Sequence, residues 1–274
     1  MPTAQIPGRD GHPPLDIHYR IGGSGPPLLH VNGTGGDLRK PMGPLTSPLL
    51  DRSTVLAYDQ RGLGQSGRPD RPYSMADYGD DAAALLDHVG WDRVRVVGVS
   101  FGGMVAQHLA IRHPERVERL VLCCTSSGGE GGASFPLHEL DGLPADEMIV
   151  RRLELSDVRR DAAWRRDHPA ELAEIVAMMS ASEAVGAGEP GRAEGARRQL
   201  EARRQHDTWD ELPRLSVPTL VAGGRYDAIA PPENLAALAG RIPGAELALF
   251  DGGHLFFVQD RAAWPAIADF LARD

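Results

Sequence analysis

A serine, an aspartate and a histidine, met in that order along this 274-residue chain, are the residues best placed to do chemistry. Gly98-Val99-Ser100-Phe101-Gly102 follows an apolar run and opens a helical pattern. A serine on a sharp strand-to-helix turn exposes its hydroxyl, and flanking glycines let neighbouring chain segments approach closely. The helix behind it offers free N–H groups and a positive field at its start. A hydroxyl becomes a nucleophile only when a base takes its proton, and the base needs a partner that fixes its tautomer. Asp227, in Gly224-Arg225-Tyr226-Asp227, lies 127 residues beyond Ser100, and His254, in Gly252-Gly253-His254, lies a further 27 on. In this assignment Asp227 holds the Nδ1 proton of His254, and His254 Nε2 takes the proton of Ser100. The expected chemistry is two-step acyl transfer: Ser100 attacks an ester or lactone carbonyl, and water then releases the acid.

Acyl transfer also needs hydrogen-bond donors for the oxygen that gains charge. The backbone N–H of Phe101 is the first candidate. The second is expected from Asn32-Gly33-Thr34-Gly35-Gly36-Asp37, whose glycines let the backbone turn its amides inward, and Thr34 is the expected donor. A phosphate loop is the rival reading of that stretch, but it lacks the Lys-Ser/Thr of a Walker loop and the full G-x-G-x-x-G. Other histidines compete for the role of base. His113 ends a helix and suits a dipole-complementing place, His30 falls in a strand and suits packing, and His138, His168 and His206 fall where they could line a pocket. Singly, His254 reads as well as a capping or surface histidine, and Asp227 as a turn carboxylate. The assignment rests on the three together.

These residues need a scaffold that brings strand ends to one edge. Short apolar runs at Asp16–Ile21, Pro27–Asn32, Thr54–Tyr58, Arg93–Val97, Leu120–Cys124, Thr219–Ala222 and Glu246–Phe250 alternate with helical patterns at Met75–Val89, Phe101–Arg112, Glu233–Arg241 and Asp260–Arg273. Such alternation predicts a mostly parallel sheet covered by helices, with the C-terminal strand ends along one edge. Ser74 or Asp77 is placed to cap the first helix and Gly90 to end it. Between about Gly128 and Arg214 the alternation stops and helical patterns follow one another, with a Gly/Ala/Glu-rich connection at Ala184–Gly195. That predicts core residues 1–127 and 215–274 interrupted by a helical insertion at 128–214.

The composition narrows the partners. Acidic residues outnumber basic ones 38 to 29, for a net charge of −9, and Lys40 is the sole lysine. Without a basic stripe, nucleic acid and anionic membranes are not expected partners; a small-molecule ester or lactone is. No run of about 18 apolar residues is available to span a bilayer, and the Pro-rich start lacks the apolar segment of a signal peptide, so the cytoplasm is the expected location. Cys123 and Cys124 are adjacent, point to opposite faces if both lie in one strand, and are poorly placed to bridge. No metal site or other cofactor is expected, since neither H-E-x-x-H nor a Cys/His/Asp cluster appears.

Asp59-Gln60-Arg61-Gly62-Leu63-Gly64-Gln65-Ser66-Gly67, Gly98 to Met104, Asp227 and Gly253-His254 together resemble the α/β-hydrolase superfamily. The resemblance covers about Leu15–Ser126 and Ser216–Arg273. Within the superfamily it is nearest to bacterial 3-oxoadipate enol-lactonase-like hydrolases and to non-haem haloperoxidase-type esterases. It implies an α/β fold with a helical lid inserted after the sixth strand, a serine esterase or lactonase activity, and a structural turn around Arg61. Asn32-Gly33 stands where many members carry His-Gly. The serine at the turn argues against dehalogenases and epoxide hydrolases, which carry aspartate there. A carbon–carbon bond hydrolase, a thioesterase and a non-catalytic small-ligand receptor use the same scaffold and stay open. In the insertion Phe135, Met148, Trp164, Met178, Met179 and Trp209 could line an acyl pocket, and eleven arginines from Arg151 to Arg204 could meet a substrate carboxylate.

Overall fold

Runs such as Val94-Arg95-Val96-Val97 and Leu120-Val121-Leu122 become strands because β-branched and apolar side chains suit a surface covered on both sides. The computed structural model describes residues 2–8, 11–140 and 142–273. Among these, eight strands form one sheet: β1 (Thr3–Ile6), β2 (Leu15–Gly23), β3 (Pro27–Val31), β4 (Thr54–Tyr58), β5 (Val94–Val99), β6 (Val117–Cys123), β7 (Thr219–Gly224) and β8 (Glu246–Phe250). Their spatial order is β1-β2-β4-β3-β5-β6-β7-β8. The pairs β1–β2 and β2–β4 are antiparallel, and all others are parallel.

The side-chain period of two divides the core. Leu120 and Leu122 enter one apolar cluster, while Val121 and Cys123 enter the other. The first cluster packs α1 (Met75–Val89) and α2 (Phe101–Arg112) on one face of the sheet. Between β6 and β7 lie α3 (Ala145–Ser156), α4 (Ala162–Asp167), α5 (Pro169–Ala184) and α6 (Arg192–Arg204), with no strand among the described residues. After β7, α7 (Pro232–Arg241) joins the first face; α8 (Phe256–Gln259) and α9 (Ala263–Leu271) cover the other. The class is α/β, with a mostly parallel sheet covered on both faces and a helical insertion after the sixth strand.

Local rules explain the ends of α1. Ser74 Oγ accepts the Asp77 N–H and the Asp77 carboxylate accepts the Ser74 N–H, a reciprocal cap, and Gly90 ends the helix in the left-handed region.

Four readings of the sequence are corrected. Strand β1 was not expected; its four residues are too few to show a pattern, and Ala4 and Ile6 become buried only by pairing with β2. The final helix is not continuous from Asp260 to Arg273, because the Asp260 carboxylate accepts the N–H groups of Ala262 and Asp251 and holds a turn. Gly195 belongs to α6, not to a connection, and a side chain there would strike the Gly62 carbonyl. Cys124 lies beyond β6 with φ of 41°, so both thiols enter the same apolar cluster and not opposite faces. Both are free and buried, and burial pushes the Cys123 thiol up to about 12. No helix among the described residues is long and apolar enough to cross a membrane.

Candidate active site

Strand β5 ends at Val99, and α2 begins at Phe101, so Ser100 alone must make the turn. It does so at φ 56° and ψ −118°, a left-handed conformation that costs a residue with a Cβ on the order of 1–3 kcal/mol. The surroundings hold it there. Ser100 N–H donates to the Cys123 carbonyl at 2.8 Å, and the Thr125 hydroxyl donates to the Ser100 carbonyl at 2.8 Å. The two outer glycines of the motif are required by contact: a Cβ on Gly98 would collide with the Gly102 carbonyl, and one on Gly102 with the Val31 carbonyl. Close approach of α2 to the ends of β3 and β5 is thereby possible, and Ser100 is lifted above the sheet edge.

The loops after β7 and β8 arrive at the same edge. His254 Nε2 lies 3.0 Å from Ser100 Oγ, and His254 Nδ1 lies 2.7 Å from Asp227 Oδ2. The other Asp227 oxygen accepts the N–H groups of Ile229 and Ala230 at 2.7 and 3.0 Å. With the carboxylate side chain fully buried and so engaged, the imidazole is oriented with Nδ1–H toward Asp227 and Nε2 free to accept from Ser100. The structure therefore brings the three sequence-selected residues into one hydrogen-bonded chain.

Asn32-Gly33-Thr34 runs past the serine. A Cβ placed on Gly33 would stand 3.4 Å from Ser100 Cβ and 3.9 Å from its Oγ, so this backbone passes at contact distance. Thr34 lines the cavity beside Ser100, and its buried hydroxyl has no hydrogen-bond partner among the described residues. Phe101 begins α2, where the first amides of a helix have no intrahelical acceptor.

Residues that local pattern did not reveal tie these loops down. Gln199 of α6 is fully buried; its Oε1 accepts the Gly35 N–H at 2.9 Å, and its amide donates to Gln60 Oε1 at 3.1 Å. Gln60 in turn donates to the Asn32 carbonyl at 2.7 Å. On the other side the His254 N–H donates to the Ser156 carbonyl at 2.6 Å. Gln259 accepts the Gly253 N–H and donates to Asp157. These glutamines carry no sequence signal, because their partners are distant in the chain.

A cavity of about 590 Å³ opens over Ser100 and His254. Met178 and Met179 of α5 line it, as does Ile229; Trp164, Trp209, Phe135 and Met148 do not. Trp164 stacks on His168 instead, Trp209 lies against Gly131 and beneath Arg241, and Phe135 and Met148 pack in a small cluster with Leu137 and Leu140. Two of the rival histidines have other side-chain partners. His113 pairs with Asp80, and His206 contacts the Ser126 carbonyl and His108. His30 is buried, and burial lowers it to about 4.

The cavity wall also carries Lys40, Arg152 and Arg160. Arg152 pairs with Glu183 at 3.0 Å. Lys40 makes no direct ion pair among the described residues, and burial lowers its ammonium below the usual lysine range against the pull of Glu183 and Asp37. Burial opposes ionisation of neighbouring Asp37, yet hydrogen bonds from Arg39 and Arg192 hold its carboxyl at about 2. No group of three or more metal-ligating side chains occurs among the described residues.

Comparison with known proteins agrees with this architecture. The family model described as alpha/beta hydrolase fold matches residues 26–260. A poly(3-hydroxyalkanoate) depolymerase of Ectopseudomonas oleovorans is 33% identical over 254 residues, covering 90% of this chain and 85% of its own. A 3-oxoadipate enol-lactonase 2 of Acinetobacter baylyi is 30% identical over 217 residues, covering 78% and 76%. The crystal structure of the enol-lactonase from Burkholderia xenovorans LB400 superposes with a TM-score of 0.77 at 28% identity, covering 99% of this chain and 100% of that one. The chain therefore belongs to the α/β-hydrolase family, and it is a hydrolase with enol-lactonases among its relatives.

Proposed function

We propose that the protein cleaves a carboxylic ester or lactone of a small molecule through an acyl-enzyme formed on Ser100. The observation that carries this reading is the hydrogen-bonded chain Asp227–His254–Ser100 at the floor of the cavity. In the first step Ser100 Oγ bonds to the carbonyl carbon, its proton passes to His254 Nε2, and the alcohol leaves with that proton. In the second, water replaces the alcohol and the acid departs. Asp227 stabilises the imidazolium that forms between the steps. The N–H groups of Phe101 and Thr34 are the proposed oxyanion donors, supported by the open start of α2 and by the close passage of Gly33. Residues 128–214 act as a lid on the core formed by 1–127 and 215–274; Ser156 and Gln199 reach from it to the His254 and Gly35 loops.

The test is a fluorophosphonate, which phosphonylates an activated serine with loss of fluoride. One label per chain on the peptide bearing Ser100, lost in His254→Ala, is the expected result. Labelling elsewhere, or none, would overturn the assignment.

Lys40 narrows the substrate. A partly desolvated cation with no carboxylate in direct contact, only the more distant Glu183 and Asp37, favours an anionic group on the acyl moiety, and a charge-assisted hydrogen bond contributes about 1.5–3 kcal/mol. Lys40→Met should raise KM about 10- to 100-fold for lactones or esters bearing a free carboxylate and leave KM for the corresponding methyl esters unchanged. Kinetics on a matched panel of lactones, esters and thioesters checks this; equal effects on both forms would remove Lys40 from substrate binding.

A further inference from the structure

Away from Ser100, Arg203 in the last turn of α6 is 6% exposed, and none of its guanidinium nitrogens hydrogen-bonds to any described residue. Its Nε and Nη2 are both buried and unpartnered. Burial is the only influence on its ionisation and lowers it to about 10, so it stays charged at neutral pH. A guanidinium withdrawn from water without a partner costs several kcal/mol, and a helix C-terminus offsets only about 1 kcal/mol of that. Arginine lacks lysine's easier route of giving up its proton.

Arg203 lines a second cavity, of about 110 Å³, between α6, the loop after β6 and the turn at Pro136–His138. The wall is rich in donors. Ser126 and Ser134 hydroxyls lie 2.8 Å apart, and the Ser134 N–H donates to Ser126 Oγ. Whichever hydroxyl donates to the other, one hydroxyl proton is left over. Arg204 and His138 complete the polar lining, with His206 beside them. The Ser126 carbonyl, the nearby acceptor, is already used by Gln107 Nε2 and His206 Nε2. Among the described residues, no aspartate or glutamate lines this cavity.

We propose that this cavity is a binding site for a small tetrahedral oxyanion of the phosphate or sulfate type, with Arg203 as its principal ligand. A guanidinium is a planar fork able to hold two oxygens of such an anion once its side chain turns toward the cavity, and the spare serine hydroxyl and Arg204, which line the same cavity, are available for a third. The volume equals that of a few water molecules at about 30 Å³ each, which suits a free anion and excludes a nucleotide. Bound there, the anion neutralises Arg203 and ties α6 to the segment Ser126–Ser134, where the core passes into the insertion.

Calorimetric unfolding in sodium phosphate, sodium sulfate, sodium chloride and sodium phenyl phosphate at matched ionic strength tests this. Phosphate and sulfate should raise the Tm of the wild-type protein saturably, by about 2–5 °C at ten to a hundred times Kd, and chloride should not. Arg203→Met should abolish the saturable rise, leaving only the small linear effect of excluded salts. A phenyl phosphate response equal to that of phosphate would show that the site takes a phosphate monoester head, still through Arg203. An Arg203→Met protein with an undiminished rise would overturn the proposal. Isothermal titration of phosphate into the wild-type protein gives an answer independent of the variant's folding. One anion per chain is expected, and no binding heat together with no Tm shift would overturn it.

Discussion

Replacing Ser100 with alanine should lower kcat for ester or lactone hydrolysis by about 10⁴- to 10⁶-fold, with KM nearly unchanged and the fold intact. The reason is local. Without Oγ there is no group for His254 to deprotonate, whereas the cavity wall and the two proposed backbone donors would still hold the substrate. Alanine keeps the Cβ, so the cost of φ 56° is the same as for serine, and only the 3.0 Å contact to His254 is lost. Ser100→Gly makes the complementary test. It should be equally inactive, yet more stable by about 1 kcal/mol, because glycine adopts this conformation without strain. Steady-state kinetics with a p-nitrophenyl ester and urea unfolding of both variants check these outcomes. An alanine variant within tenfold of wild-type kcat would show that Ser100 is not the nucleophile.

The second large effect concerns acid stability. His30 and His108 are held at about 4 and His206 at about 3, in each case chiefly by burial. His206 Nε2–H donates to the Ser126 carbonyl, which leaves its Nδ1 to accept from His108 Nε2, so the pair is built for the neutral forms. Unfolded, all three bind protons near pH 6.5. Below that value the unfolded chain holds more protons than the folded one, and stability falls as pH falls. Asp59 works in the opposite sense: burial raises it to about 6, so between that value and its unfolded value near 4 the folded state holds the extra proton. Three protons against one leave a net uptake of about two on unfolding, or about 3 kcal/mol of stability lost per pH unit between about pH 6 and 4. Urea unfolding at half-unit intervals measures the slope, and His30→Leu should reduce it by about one proton's worth. A flat profile across that range would mean that these histidines are not held neutral.

How much of this was open to reading depends on the range of each interaction. Helices α1 and α2 could be bounded to the residue, since Ser74 and Gly90 act within one turn of their own positions and the Gly98–Gly102 turn is set by contacts that demand small residues. Ser100, Asp227 and His254 could be named because each sits just past an apolar run, and parallel strands deliver such positions to one edge. The cavity lining was read less well. Of six apolar candidates in the insertion only Met178 and Met179 face the cavity, because helical periodicity tells which residues share a face but not what that face meets. Strand β1 escaped for a related reason: its burial is conferred by β2 and is absent from its own four residues.

By itself, then, the sequence determined the α/β class, the alternation of strands and helices, and the order serine, aspartate, histidine. These depend on side-chain period and on turn chemistry, both of which are written in neighbouring residues. Tertiary structure decided everything that depends on groups far apart in the chain. It set the 2.7 and 3.0 Å links through His254, the Gln199–Gln60 bridge that steadies the Asn32 loop, the partly desolvated Lys40 in the wall of the same cavity as Ser100, and the buried, unpartnered charge of Arg203. Burial removes water, and only burial turns an ordinary charged or polar side chain into one that must find a specific partner.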